Sequence, residues 1–127
     1  MNIYPKNPAR IFHVGKPEND IFMKDCGSIV LEHDEQVTFT DSSGLEYDVA
    51  RKDWGFYCTP SLNARLPSFG LRGVLIKNRE TARFFVLLVE KGKEVLFDKY
   101  CKLENLAVIS WLDCEESLKK LEKKLGM

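Results

Sequence analysis

Alternation of apolar and polar residues over two short segments predicts a β-hairpin in the first half of the chain. In residues 37–40, valine and phenylalanine alternate with threonines, and in residues 45–49 every second residue is apolar. The intervening Asp-Ser-Ser-Gly at 41–44 is a turn sequence. A period of two indicates strands with one face buried and the other in water.

Short apolar segments bounded by turn residues predict further strands along the rest of the chain. These segments cover residues 21–24, 29–32, 71–77, 83–90, 94–100 and 107–111. The segment 83–90 is apolar on both faces, which is typical of a central strand. Regularly spaced short strands favour a mainly β fold, and we expect an antiparallel β-sandwich or a jelly-roll-like domain.

The period changes near the C-terminus, where the pattern predicts one amphipathic α-helix over about residues 114–125. Its apolar stripe consists of three leucines, Leu118, Leu121 and Leu125. Asp113 and Glu116 have the spacing of a capping box with Asp113 as the N-cap, and Gly126 suits the end of the helix. We expect the leucines to pack on the sheet rather than to mediate dimerisation.

Length and composition are those of one ordinary globular domain. The chain has 127 residues, of which 44% are hydrophobic and 30% charged, so a single β-rich domain over residues 1–127 is expected. Nineteen basic residues balance nineteen acidic ones. Because no overall positive field results, nucleic acid is not expected as a partner.

The distribution of apolar residues predicts no contact with a membrane. No apolar run approaches the roughly 20 residues that cross a bilayer, and the first residues contain no apolar signal segment. We therefore expect a cytoplasmic protein. Four cysteines, Cys26, Cys58, Cys101 and Cys114, are widely spaced without a C-x-x-C pair, which favours buried structural thiols.

The densest cluster of aromatic and polar side chains lies between residues 54 and 72. Aromatic rings suit stacking on a sugar, and an amide and guanidinium groups suit hydroxyl and anionic groups. The predicted ligand-binding residues are Trp54, Tyr57, Asn63, Arg65 and Arg72. The segment 58–70 is also long for a loop, and long ordered loops tend to be functional.

The same cluster has a structural interpretation. In that interpretation Trp54 and Phe56 fill the core, and the polar side chains satisfy backbone groups at a crossover. If residues 71–77 form a strand, Arg72 shares a face with Val74 and Ile76. It must then meet either a buried partner or a ligand.

Established catalytic and metal-binding motifs are missing from the sequence. The two histidines, His13 and His33, form no H-x-H pair, and Ser61 lacks the glycines of a nucleophile elbow. Gly70 and Gly73 do not form a G-x-G-x-x-G loop. We therefore expect no metal and no cofactor, and no catalytic residue is assigned.

Residues 54–66, together with residues 3–12 (IYPKNPARIF), are similar to a family of small uncharacterised bacterial proteins associated with surface-polysaccharide genes. The resemblance covers most of the chain. It implies a bacterial cytoplasmic setting and a connection with sugar metabolism, and it supplies no catalytic residues.

These observations predict a non-catalytic accessory or binding module that recognises a sugar-like or anionic small molecule. Two alternatives stay open. One is a metal-independent enzyme acting on an activated sugar, with Tyr57 or a carboxylate as the acid–base group. The other is a protein–protein interaction module, a homodimer included, that pairs through an exposed strand edge or an apolar face.

Overall fold

A computed structural model describes residues 1–126, which divide into two compact units. Unit 1 comprises Met1–Val37 and Val49–Cys58, and unit 2 comprises Thr38–Asp48 and the chain from Thr59 onwards. Strands take up 47% of the chain and helices 20%, so the predicted mainly β class is confirmed. The sandwich or jelly-roll arrangement and the single domain over residues 1–127 stay predictions.

Eight strands and three helices lie within residues 1–126. In chain order they are β1 (Asn2–His13), β2 (Phe22–Val30), β3 (Gln36–Thr40), β4 (Glu46–Lys52), β5 (Gly55–Cys58), α1 (Arg65–Ser68), β6 (Leu71–Asn78), β7 (Arg83–Glu90), α2 (Glu94–Glu104), β8 (Leu106–Trp111) and α3 (Glu115–Lys124). The strands form three antiparallel sheets, with the orders β1-β2, β3-β4-β5 and β7-β6-β8. None of these helices has the length and apolar composition needed to cross a bilayer.

Unit 1 contains a two-stranded ribbon of β1 and β2 that the sequence pattern did not predict in full. The prolines at positions 5 and 8 argue against a strand in the sequence, so β1 is not predicted. In the structure the pairing accommodates them through a register shift between Pro5 and Arg10. The two strands predicted at 21–24 and 29–32 overlap the two ends of one continuous strand, β2, which ends at Val30.

Gly27 allows β2 to continue past the register shift. Its φ of +136° is a conformation that other residues rarely adopt. A Cβ atom at this position would lie 2.2 Å from the carbonyl oxygen of Tyr4. The ribbon therefore requires glycine at this position, where the backbone of Tyr4 leaves no room for a side chain.

The predicted hairpin of residues 37–49 is confirmed by β3 and β4. The Asp41 carboxylate closes its turn by accepting hydrogen bonds from the backbone N–H groups of Ser43, at 3.0 Å, and Leu45, at 3.2 Å. The chain then returns as β5, whose register with β4 runs from Val49 opposite Cys58 to Lys52 opposite Gly55.

Unit 2 is built on β6, the middle strand of the β7-β6-β8 sheet. On one face Val74 and Ile76 are buried together with Val89, and Phe97 and Trp111 pack against them. The opposite face is covered by α1, whose Leu66 is fully buried. Gly73 permits this close approach, because a Cβ atom there would lie 3.0 Å from Leu62 and 3.9 Å from Leu66.

The strand predicted at residues 94–100 is wrong, because this segment begins α2. Phe97, Cys101 and Glu104 recur at helical spacing, and they are the side chains that pack against the core or are buried. Asn105 ends the helix in the left-handed conformation, with φ of 55°. Three adjacent apolar residues at 95–97 imitate a short strand when only 94–100 is considered. Together with the short α1, α2 corrects the prediction of a single helix.

The C-terminal helix is confirmed as α3, but two details of its prediction are wrong. The N-cap is Cys114 rather than Asp113. The leucine stripe is not buried: no residue of α3 is, and Leu121 and Leu125 are 49% and 64% exposed. Gly126 does follow the helix with φ of +72°, as predicted.

Strand β7 was predicted to be central, and it lies at an edge of its sheet. Within residues 1–126 its strand neighbour is β6 alone. Phe84, Phe85 and Val86 are 58%, 48% and 60% exposed. The apolar pattern on both faces of β7 therefore does not reflect burial within this chain.

Candidate functional site

The two aromatic residues of the predicted site lie together in unit 1. Trp54 occupies the turn between β4 and β5, and Tyr57 lies on β5. Their ring centroids are 6.4 Å apart at an angle of 44°. Trp54 is 67% exposed and Tyr57 51%, so Trp54 does not fill a core, and both rings present surfaces to solvent.

Arg72 lies in unit 2, where its guanidinium pairs with the largely buried carboxylate of Asp113. Its Nε donates to Asp113 Oδ2 at 2.6 Å and its Nη2 to Asp113 Oδ1 at 3.3 Å, which makes a bidentate pair. Its Nη1 donates to Glu94 Oε2 at 3.2 Å. The guanidinium carbon also lies 4.0 Å from the centre of the Trp111 ring, in a cation–π contact.

The titration properties of this cluster follow from these contacts. Hydrogen bonding to Asp113 raises the pKa of Arg72, and the same bonds lower the pKa of Asp113. Hydrogen bonds from the backbone N–H groups of Glu94 itself and of Gly92, together with Arg72, lower the pKa of Glu94. The cluster is therefore fully ionised at neutral pH, and it links β6, the start of α2 and the segment before α3.

Arg65 serves a similar structural purpose in unit 2. Its Nη2 lies 3.2 Å from Oδ2 of Asp48, a carboxylate with only 7% of its residue surface exposed. Asp48 also accepts a 2.5 Å hydrogen bond from the Thr38 hydroxyl. Half of the Arg65 side chain is exposed, and its guanidinium lies 5.3 Å from the centre of the Phe69 ring.

Asn63 is exposed and lies beside α3 in unit 2. It borders a shallow pocket of about 220 Å³ whose other lining residues are Glu115, Leu118, Lys119 and Glu122. Two of these, Glu115 and Lys119, form an ion pair at 3.6 Å. None of the other predicted site residues lines this pocket.

The five predicted residues are therefore divided between the units, with Trp54 and Tyr57 in unit 1 and Asn63, Arg65 and Arg72 in unit 2. Trp54 and Tyr57 are brought together, and each arginine is engaged by carboxylates of its own unit. A joint ligand-binding role for all five stays a prediction.

The structure reveals an apolar surface on the β1–β2 ribbon that the sequence pattern missed. Alternation along β2 places Phe22 and Val30 on one face, and the register adds Tyr4, opposite Ser28, and Ile11, opposite Lys24, from β1. We call Tyr4, Ile11, Phe22 and Val30 the apolar ribbon face. Their exposed fractions lie between 47% and 64%.

The other face of the ribbon carries a cluster of paired charges around Asp25. Asp25 accepts from Lys6 Nζ at 2.5 Å and lies 3.5 Å from Arg10 Nη2, and hydrogen bonding to Lys6 lowers its pKa. Arg10 also lies over the Phe12 ring, at 4.6 Å. This face therefore combines paired charges with the exposed apolar side chains of Ile3, Met23 and Ile29, and each face of β2 carries one charged residue, Asp25 here and Lys24 on the apolar ribbon face.

Groups with metal-binding or nucleophilic chemistry are dispersed. Within residues 1–126 no three His, Cys, Asp or Glu side chains converge as metal ligands. In the acidic turn before β3, Asp34 pairs with Lys52, and Glu35 pairs with the N-terminal amine at 2.9 Å. Of the four cysteines expected to be buried, only Cys101 is.

Comparison of the chain with protein-family models, curated proteins and solved structures gives no significant match.

Proposed function

We propose that this protein is a non-catalytic protein–protein interaction module that binds a folded polypeptide through the apolar ribbon face. The observation that carries the proposal is the exposure of Tyr4, Ile11, Phe22 and Val30 on one face of a ribbon of only two strands. A two-stranded hairpin is marginally stable in water unless a further strand or another element covers it.

The energetics favour covering this face. Each of the four side chains is about half exposed, and at about 25 cal/mol per Å² covering each one is worth roughly 1 kcal/mol. The face therefore offers roughly 4 kcal/mol to a partner, before the cost of association. Its composition of aromatic and aliphatic residues with little charge is typical of the centre of a protein interface.

A pair of matched variants tests the proposal. Ile11→Asp combined with Phe22→Asp places two charges on the ribbon face, and Val95→Asp combined with Leu96→Asp places two charges on exposed positions of α2. A physiological partner should bind the wild type and the α2 variant, and should bind the ribbon variant at least tenfold more weakly. With purified partner, calorimetry should give a negative heat-capacity change.

Equal binding of the partner by the ribbon variant would contradict the proposal, provided that its circular dichroism shows the native fold. The α2 variant controls for a general effect of added negative charge on solubility and affinity.

A second candidate, recognition of a sugar-like ligand, is supported by the exposed Trp54–Tyr57 pair and by the resemblance to proteins associated with polysaccharide genes. Two exposed rings 6.4 Å apart suit stacking on a sugar. A ligand at 100 times its dissociation constant would add about 2.7 kcal/mol to the unfolding free energy. Thermal unfolding with nucleotide sugars and sugar phosphates should then shift upward in the wild type and in Phe39→Ala, and should not shift in Trp54→Ala.

The enzymatic version of this candidate adds a single requirement. Turnover of an activated sugar should disappear in Tyr57→Phe while the thermal shift survives, because the phenol would act as the acid–base group.

A further inference from the structure

The outer edge of β7 carries a strand sequence that is built for pairing on both sides. Between Arg83 and Glu90 all six residues are apolar, and none is proline or charged. Natural proteins normally protect free strand edges with charges, prolines or bulges. In residues 1–126, β7 has β6 as its strand neighbour and no strand on its other side.

Two backbone hydrogen bonds show which residues of β6 bond to β7 and which bond to β8, and so which backbone groups of β7 remain unpaired. Lys91 N–H donates to the Gly70 carbonyl at 2.9 Å on the β7 side of the sheet. Leu112 N–H donates to the Gly73 carbonyl at 2.9 Å on the β8 side. Because bonded positions alternate along a strand, even-numbered residues of β6 bond to β7 and odd-numbered ones to β8.

The register between β6 and β7 then identifies the residues of β7 that bond to β6. Arg72, Val74 and Ile76 lie opposite Val89, Leu87 and Phe85, so the odd-numbered residues of β7 are the ones that bond inward. The backbone groups of the even-numbered residues Phe84, Val86 and Leu88 therefore point away from the sheet, whereas the carbonyl of Glu90 accepts from the Lys93 N–H in the following turn. They form a row of free donors and acceptors that an antiparallel strand would match.

We propose that the partner strand is β7 of a second copy, paired antiparallel about a two-fold axis at Val86. The outward-pointing backbone groups of the two copies meet only when even-numbered residues of one β7 lie opposite even-numbered residues of the other. With the axis at Val86, Phe84 meets Leu88 of the second copy and Val86 meets its own counterpart, so all three free positions are used. Each such pair exchanges two N–H···O bonds.

The charges and side chains of β7 suit this arrangement. Its only charged residues, Arg83 and Glu90, lie at opposite ends. Antiparallel self-pairing brings unlike ends together, whereas parallel pairing would bring like ends together. The half-exposed rings of Phe84 and Phe85 and the Val86 side chain are placed beside apolar residues of the second copy. The result is a closed, two-fold symmetric dimer.

This surface lies in unit 2 and does not involve the ribbon face, so the dimer is independent of the function proposed above. In sedimentation equilibrium we expect the wild type to be a dimer that dissociates on dilution. Val86→Lys should weaken the dimer at least tenfold, because two ammonium groups would face each other across the axis. Val95→Lys is the matched control, since Val95 is 69% exposed on α2, and it should leave the dimer intact.

Variants of opposite charge at Val86 test whether the two-fold axis passes through this residue. Val86→Lys alone and Val86→Glu alone should both be monomeric, and their mixture should form a heterodimer. In the wild type, the amides of Phe84, Val86 and Leu88 should be protected from hydrogen exchange at high concentration and lose protection on dilution. Those of Phe85, Leu87 and Val89 should stay protected throughout, because they bond to β6.

A wild type that is monomeric at high concentration would overturn the proposal. So would a dimer that Val86→Lys leaves unchanged, or outward amides whose exchange does not depend on concentration. The variant Ile11→Asp with Phe22→Asp should dimerise normally, which separates this outcome from that of the ribbon face.

Discussion

Arg72 and Asp113 form a bidentate ion pair across 41 positions of sequence, with nitrogen–oxygen distances of 2.6 and 3.3 Å. Three-quarters of the Arg72 side chain is removed from solvent and Asp113 is still less exposed, at 14%. Since Glu94 binds the same guanidinium, one side chain ties β6 to two helical segments of unit 2.

Removing this guanidinium should destabilise unit 2. Arg72→Ala leaves two partly buried carboxylates without a partner, and hydrogen bonds to charged groups are worth about 1.5–3 kcal/mol. We expect a loss of roughly 2–3 kcal/mol in the free energy of unfolding, measured by urea denaturation. Arg72→Lys should recover only part of it, because an ammonium cannot bind Asp113 through two parallel bonds.

Arg79→Ala, at an exposed position near the end of the same strand, is the control and should change stability little. Equal stability of Arg72→Ala and Arg79→Ala would show that the cluster contributes nothing measurable.

The same pair predicts a pH dependence of stability. The pKa of Asp113 is lowered in the folded state, chiefly by hydrogen bonds from Arg72. The unfolded chain, with an aspartate pKa of about 3.9, therefore takes up this proton at a higher pH than the folded protein. The stabilisation is fully present above the unfolded pKa and is lost as pH falls through the folded one.

Asp113→Asn should consequently cost most near neutral pH, and its stability difference from the wild type should shrink below pH of about 4. Denaturation series at several pH values measure this difference, with Asp20→Asn at an exposed position as the control. A constant difference across the acid range would contradict the assignment.

Gly27→Ala should disrupt the ribbon. The new Cβ would lie 2.2 Å from the Tyr4 carbonyl oxygen, in addition to the strain of a φ of +136°. Gly44→Ala is the matched control, because Gly44 also has a positive φ, +92°, but its Cβ would meet nothing within 4 Å. We expect about 1 kcal/mol for Gly44→Ala and roughly 2–4 kcal/mol for Gly27→Ala.

Hydrogen exchange localises the effect. Amides of β1 and β2 should lose protection in Gly27→Ala and keep it in Gly44→Ala. Unchanged protection of the ribbon in Gly27→Ala would show that the two strands do not approach as closely as described.

The cysteines should differ sharply in reactivity. Hydrogen bonds from the backbone and hydroxyl of Ser117 and from the backbone of Glu116 lower the pKa of the exposed Cys114 thiol. Burial, together with the charge of Asp98, raises the pKa of the Cys101 thiol. Iodoacetamide at neutral pH should therefore alkylate Cys114 readily and Cys101 only after unfolding.

Mass spectrometry of the alkylated peptides measures both rates. Ser117→Ala should slow the alkylation of Cys114 and leave that of the exposed Cys26 unchanged. Alkylation of Cys101 in the folded protein as fast as that of Cys114 would refute the assignment.

Local patterns were reliable where one element determines its own face. The period of two predicted β3 and β4, and the helical period predicted α3, because the apolar residues of each element recur every two to four positions along the sequence. Patterns failed where apolar residues were adjacent rather than periodic, as at 95–97 in α2. They also failed where prolines interrupted a strand, as in β1.

The sequence also located Arg72 on the same strand face as Val74 and Ile76, but it could not name the group that the guanidinium meets. The spacing of Asp113 and Glu116 predicts that Asp113 caps the last helix, because a capping pattern in the sequence involves neighbouring positions only. In the structure it is instead the long-range partner of Arg72, and Cys114 takes the N-cap position. Contacts between residues 41 positions apart are decided by the path of the chain, which short-range periodicity does not encode.

From the amino acids alone came the mainly β class, the C-terminal helix and a set of aromatic and polar residues with binding chemistry. These depend on side-chain type and on short-range spacing. Only the tertiary structure decided that the arginines pair with carboxylates, and that apolar side chains of the ribbon and of β7 stay exposed. Burial and pairing belong to the packing of distant segments, since a strand that is apolar on both sides looks the same in sequence whether its second neighbour is in its own chain or in another.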